Sequence, residues 1–323
     1  MNLRTLVKRS FVASCAYYLK DDMVAALRFR SGNLDTTSGM AHGGRDTGSS
    51  VAYIEQVFAD YKRYSGVSRF QGRVAEVGPG DNAGVGLMFL ADGCESVDLV
   101  DRFYSRRSAA RNAEIYKSLV ERHRQLAARL DGDGPYDDAN FRGIRRCYGE
   151  QASAEGFFSS PAAYDYIVSR AVMEHVRDPV LAFRRMSAAL KPGGMLLHKV
   201  DLRDHGMFSG AFHELKFLEV PDWLYPAMTR GSGRPNRKLV HSYREVLEQV
   251  LPDHDILVTR LAAVGDIEPH ARYEQIDSSS RRAAESYVES VRGRFCKALR
   301  NVASADLAVT GIFIVGRKAG GRP

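Results

Sequence analysis

The stretch that decides the fold reads Arg73-Val74-Ala75-Glu76-Val77-Gly78-Pro79-Gly80-Asp81-Asn82-Ala83-Gly84-Val85-Gly86-Leu87-Met88-Phe89-Leu90, and it closes with Val97-Asp98-Leu99-Val100-Asp101. Residues 74–77 form a short run of the kind that makes a buried strand. Gly78-Pro79-Gly80 is the turn leaving it, with glycine where a side chain would block a tight turn or a ligand. Residues 84–90 are an apolar helical stretch, and residues 97–100 a second strand that ends on a carboxylate. Strand, glycine loop, helix, strand, acid is the order of a nucleotide site in a doubly wound α/β sheet.

The glycine spacing departs from the dinucleotide pattern, because Pro79 separates the first two glycines and Gly84 comes late. Glu76 would repel the pyrophosphate that such loops place at a helix start. An acid there suits a ligand with a cationic or hydroxyl-bearing part. The loop resembles the first motif of the class I methyltransferases, which bind S-adenosylmethionine. The resemblance implies that Glu76 and the backbone of Gly78, Pro79 and Gly80 surround the methionyl part, and that Asp101 holds the ribose hydroxyls.

A second match lies downstream, at Tyr164-Asp165-Tyr166-Ile167-Val168-Ser169-Arg170-Ala171-Val172-Met173-Glu174-His175-Val176-Arg177-Asp178-Pro179. Residues 166–168 read as a central strand, with Ser169 at its carboxyl end, the edge where such sheets bind ligands. Residues 180–190 are an amphipathic helix stopped by Lys191-Pro192-Gly193-Gly194, and residues 195–200 a fifth strand. Together the two matches cover roughly residues 73–200 and resemble the small-molecule branch of the family. Residues 144–148 read as the third strand. In the family the following loop holds the adenine amine, which implies Glu150 and Gln151 here, with Glu155 as a further candidate.

The expected fold is therefore α/β: a doubly wound, seven-stranded, mostly parallel sheet with an antiparallel last strand, an N-terminal helical extension and an insertion after the fifth strand. Residues 1–65 read as the extension and a loop or lid, and residues 66–323 as the methyltransferase domain, with the insertion at 201–238. Val51, Ile54, Val57, Phe58 and Tyr61 recur on one helix face, with Ser49 or Ser50 as its cap. Residues 1–27 mix Arg4, Lys8 and Arg9 with apolar residues. That make-up suits an amphipathic helix packed on the main domain or on a partner subunit, or lying on a membrane surface. Residues 255–260 read as the sixth strand and 307–316 as the last, which the family inserts between the fifth and the sixth.

The polar group Asp201-Leu202-Arg203-Asp204-His205 follows the fifth strand. Methyl transfer to a hydroxyl requires alignment with the methyl and removal of a proton. A histidine can do base work near neutral pH, which makes His205 and His175 the candidates; Asp204 or Asp201 can orient such a histidine, and Asp204 can take the proton itself. No metal is expected: the residue types of a divalent site are present, but the carboxylate arrangement of catechol-type methyltransferases around the fourth strand is not. His42, in a Gly/Ser/Thr-rich loop, reads as a solvated histidine or a substrate contact.

The 323 residues carry a formal charge of +7, and their 44% hydrophobic content is that of an ordinary globular chain. Cys15, Cys94, Cys147 and Cys296 lack metal-ligand spacing and read as free thiols of a reducing, cytoplasmic setting. Nucleic acid is not the expected partner, because Ser169-Arg170-Ala171-Val172 stands where base-modifying enzymes carry an Asn or Asp, two prolines and an aromatic. The acceptor implied is a small molecule or saccharide, with arginines of the insertion suiting an anionic one. Oxygen is the favoured nucleophile; nitrogen or carbon, or a non-catalytic ligand-binding protein on this fold, are the alternatives. A homodimer contact through the insertion's aromatic wall stays open.

Overall fold

The computed structural model describes residues 9–36, 39–132 and 134–320. The chain enters on helix α1 (Phe11–Arg30), so Arg4 and Lys8 of the expected N-terminal helix lie outside the described residues. A two-residue strand β1 (Asp35–Thr36) precedes α2 (Thr47–Ser65), and then come β2 (Gly72–Val77), α3 (Gly84–Asp92) and β3 (Cys94–Asp101). β4 (Tyr104–Ser105) pairs with β1 beside the main sheet. The chain continues through α4 (Ala109–Arg122), β5 (Ile144–Tyr148), β6 (Tyr164–Arg170), α5 (Pro179–Ala189) and β7 (Leu190–Asp201). It ends with α6 (Tyr225–Thr229), α7 (Val240–Val250), β8 (Asp253–Leu261), β9 (Gly265–Ala271), α8 (Ser278–Arg292), α9 (Ser304–Ala308) and β10 (Val309–Arg317).

The main sheet has eight strands in the order β5-β3-β2-β6-β7-β10-β8-β9. The five from β5 to β7 are parallel, and β10 enters antiparallel between β7 and β8. The seven expected strands are all present, and β9 adds an eighth, antiparallel to β8. Its sequence, Gly265-Asp266-Ile267-Glu268-Pro269-His270-Ala271, has a proline that only an edge strand tolerates.

The sheet is covered on both faces. Period-two alternation sends Val74, Val97, Leu99, Val168, Leu197 and Phe313 into one core with α2, α3 and α4. Ala75, Val77, Val100, Ile167, Leu196 and Ile312 go to the other, with α5, α7 and α8. That second core also takes Cys15 and Tyr18 of α1 and Phe208, Phe217 and Tyr225 of the insertion, so α1 packs on the main body. One cap differs from expectation. Asp46, not Ser49 or Ser50, accepts the Ser49 N–H that starts α2, at 2.8 Å, because its extended backbone places the carboxylate over the first turn. α7 starts from Leu239 with no side-chain cap, leaving His241 and Ser242 inside the helix. Among the described residues no helix is long and apolar enough to cross a membrane.

Candidate active site at the carboxyl edge of the sheet

The carboxyl ends of β2, β3 and β6 open onto a cavity of about 560 Å³. Its floor is Glu76, Gly78, Pro79, Gly80 and Asp101, and its walls come from α1, the 33–42 loop, α2 and the 231–233 segment. Gly78 and Gly80 sit at φ +71° and +68°, where L side chains are strained. A Cβ on Gly78 would fall 2.3 Å from Val172, and one on Gly80 2.5 Å from the Gly39 carbonyl oxygen. The glycines are therefore required both by the turn and by the two segments that close over it. The Gly78 N–H donates to the Val100 carbonyl at 2.8 Å, tying the turn to β3.

Two carboxyl groups face this space without a full set of donors. Glu76 is 7% exposed, and its Oε2 is buried with no hydrogen-bond partner. Burial pushes its carboxyl up to about 8, against the pull of the Arg107 guanidinium. Asp101 accepts the Phe103 N–H at 2.9 Å, and burial pushes its carboxyl up to about 6. Buried polar atoms are normally paired, so these oxygens are poised for donors that a ligand brings. An ammonium and vicinal hydroxyls fit them, and the glycine cradle leaves room for a chain between the two.

The structure brings some of the expected residues to this cavity and keeps others away. Glu76, Gly78, Pro79, Gly80, Asp101 and His175 line it. Glu150 does not: its carboxylate points outward, 57% exposed, and pairs with Arg102 at 2.8 Å. Gln151 is exposed and also off the cavity. Ser169 is fully buried, and its hydroxyl pairs with His198 Nδ1 at 2.7 Å inside the sheet. Asp204 is 1% exposed and serves as a turn anchor. Its two oxygens accept from the Gly206, Phe208 and Ser209 N–H groups and the Ser209 hydroxyl, at 2.6–3.0 Å. A carboxylate with four donors has no free lone pair to take a proton, so Asp204 does not fit the base role expected of it.

His42 and Tyr53 also line the cavity, with Arg45 and Arg107 behind its wall. His42 is 6% exposed, not solvated, with its ring edge-on to Tyr53 at 5.7 Å, and burial lowers its basicity. The Arg45 guanidinium sits 4.2 Å from the Tyr53 ring centre. The Arg107 side chain is 6% exposed and paired with Asp138 at 3.0 Å. It also donates to the Gly80 carbonyl at 3.2 Å, so one interior arginine braces the turn and pulls on the Glu76 carboxyl.

At the far end, Met173–His175 form one 3₁₀ turn after β6. His175 Nδ1 donates to the Gly233 carbonyl at 2.8 Å, and burial pushes its pKa down to about 4, leaving a neutral ring. The His205 ring packs edge-on against it, with centroids 4.8 Å apart. His205 Nε2 lies 3.4 Å from Asp201 Oδ2 and 3.7 Å from Glu174 Oε1. The two histidines expected to handle the acceptor therefore meet at one point, although 29 residues, α5 and β7 among them, separate them in the chain.

A family model described as a methyltransferase domain matches residues 52–250. The chain belongs to this methyltransferase family. The match spans the glycine turn, Asp101 and the Glu174-His175 turn, and the cofactor of this domain is S-adenosylmethionine. Glu76, Asp101 and the glycine cradle fit that group. No curated protein matches the chain. Among solved structures it is similar to phosphoethanolamine N-methyltransferase 2 of Haemonchus contortus with S-adenosyl-L-methionine, at 16% identity and a TM-score of 0.44. That match covers 82% of this chain and 52% of the nematode enzyme, so the methyltransferase spans about half the length of that relative. It is also similar to the [4+2]-cyclase SpnF, at 13% identity and a TM-score of 0.39, with 93% of this chain and 94% of the other covered.

Proposed function

We propose that the methyltransferase moves a methyl group from S-adenosylmethionine to an oxygen of a small-molecule or saccharide acceptor. The observation that carries the reading is the convergence of Glu174, His175 and His205 beside the cavity, at the carboxyl ends of β6 and β7. Bound S-adenosylmethionine supplies an electrophilic methyl on a sulfonium. Glu76 and Asp101 anchor it at the β2 and β3 ends, and Gly78, Pro79 and Gly80 let the backbone approach. The acceptor then occupies the space toward His175 and the 231–233 segment. A cavity of about 560 Å³ is of small-molecule size. Arg28 and Arg106 on its wall suit an acceptor with an anionic part.

A hydroxyl is a poor nucleophile until it loses its proton, and this reading assigns its preparation to His175 with His205. The test is acceptor screening with labelled methyl, followed by His205→Ala. The expected result is a fall in kcat of about 10²–10⁴-fold with S-adenosylmethionine affinity unchanged in calorimetry. Full turnover of His205→Ala at saturating acceptor from pH 6 to 9 would sink the oxygen reading.

A further inference from the structure

We infer that Glu174, His175 and His205 form a binding site for one divalent first-row transition metal, which holds the acceptor through its oxygens. The inference rests on the methyl-transfer reading above and assigns the two histidines their way of preparing the hydroxyl.

The geometry has the form of a coordination site. One ligand atom from each of the three residues lies within 4.8 Å of the others. Two ligands at about 2.1 Å from a common ion sit about 3.0–3.4 Å apart when adjacent, and about 4.2 Å apart when opposite. The 3.7 Å from His205 Nε2 to Glu174 Oε1 is too long for a hydrogen bond and close to that spacing, so a few tenths of an ångström would complete it.

The second observation is Glu174 itself. It is 2% exposed, and its Oε2 is buried with no hydrogen-bond partner. Its other oxygen accepts only a long bond, 3.3 Å, from the Asp201 N–H. An unpaired buried carboxylate is costly, and a cation is the partner that its surroundings otherwise fail to supply. The arginine nearby does not fill the role, because Arg203 is spent bidentate on Asp201, at 2.8 and 2.6 Å. Asp201 in turn sits 3.4 Å from His205 Nε2 and adds a second negative charge beside the site.

His175 shows the outer-shell arrangement of a ligating histidine. Its Nδ1–H is held by the Gly233 carbonyl, which fixes the tautomer and leaves the Nε2 lone pair for a metal. Two imidazoles with one carboxylate favour zinc, manganese, iron, cobalt or nickel over magnesium or calcium. Three protein ligands leave positions open. His175 lines the cavity, so those positions face the acceptor. The ligand class that fits is a molecule with a hydroxyl and a neighbouring oxygen, such as a vicinal diol. Coordination lowers the hydroxyl's pKa and its proton passes to water. The oxygen–carbon bond then forms as the sulfonium's carbon–sulfur bond breaks, with the electron pair left on sulfur.

The test uses the full chain, stripped with chelator and titrated with Co²⁺ while visible absorption is recorded. Saturable ligand-field bands at one equivalent are expected, with His205→Ala and Glu174→Gln each weakening the binding at least tenfold. His205→Ala is the primary variant, because the His205 side chain is 30% exposed whereas Glu174 is buried. Calorimetry with S-adenosylhomocysteine runs in parallel. Normal cofactor binding with no saturable Co²⁺ signal up to millimolar metal, or a signal that both variants leave unchanged, would overturn the metal site and leave the methyltransferase reading standing. Absence of cofactor binding would instead strike the reading on which this inference rests.

Discussion

Glu76 and Asp101 are the residues from which the site can be tested one atom at a time. Glu76 has its carboxyl raised from an ordinary 4.5 to about 8 by burial. The folded protein therefore binds this proton more tightly than the unfolded chain, and stability falls as pH rises between the two values. One such group contributes a slope approaching about 1.4 kcal/mol per pH unit inside that window. Without cofactor, the urea midpoint should drop from pH 5 to pH 8, and Glu76→Gln should flatten the drop. A wild-type slope kept by the variant would place the titration elsewhere. Asp101→Asn removes the charge that would accept from two ribose hydroxyls, charge-assisted bonds of about 1.5–3 kcal/mol in sum. Cofactor affinity should fall roughly 10- to 150-fold in calorimetry, with the apo midpoint held or raised, because the variant no longer buries a carboxylate. That Glu76, the glycines and Asp101 line the cavity was legible because each lies in or next to the strand that positions it. Tyr53 was not, because packing delivers it to the cavity, and neither was Arg107, which packing brings beneath the glycine turn. Glu150 and Gln151 show the opposite failure, since a loop's sequence does not say which way its side chains turn.

At the scale of elements, α1 and the 231–233 segment form two sides of the cavity wall, and one carboxylate joins them. Asp22 of α1 is 7% exposed and accepts from the Gly231 N–H and from the Ser232 N–H and hydroxyl, at 2.7–2.8 Å. Arg234 reinforces the joint through Asp21. Asp22→Ala leaves those donors facing a carbon, at a cost of about 1–3 kcal/mol. The expected outcome is faster proteolysis within 230–238 and faster cofactor release in stopped flow, with the sheet's circular dichroism unchanged. Protection equal to wild type would show that apolar packing alone holds the wall. The parallel strands were readable as short apolar runs between turn signals, and the helices between them by their period. β9 was not, because its Asp266, Glu268 and Pro269 give an edge strand the look of a loop. The Asp46 cap was missed because Ser49 and Ser50 offer the same chemistry nearer to the apolar stripe, and only the backbone conformation decides among them.

The molecule as a whole depends on an order of strands that differs from the order of the chain. β10 is buried along Val309–Gly316 and pairs with β7 on one side and β8 on the other. A chain ending at residue 308 keeps every residue of the proposed cofactor floor and every candidate ligand of the metal. It still leaves two strand edges unpaired in the middle of the sheet, which invites association. Such a chain should elute as aggregate in size-exclusion chromatography and lose the near-ultraviolet signal of packed aromatics; a monomeric, cofactor-binding product would show that the β2–β7 half stands alone. The same placement sets a clock during synthesis. Roughly a hundred residues separate β7 from β10, about 5–20 s of translation. For that interval the nascent protein carries β7 with an open edge outside the ribosome, so the time of greatest exposure to chaperones, and to other copies emerging on the same message, falls just before its final strand is made.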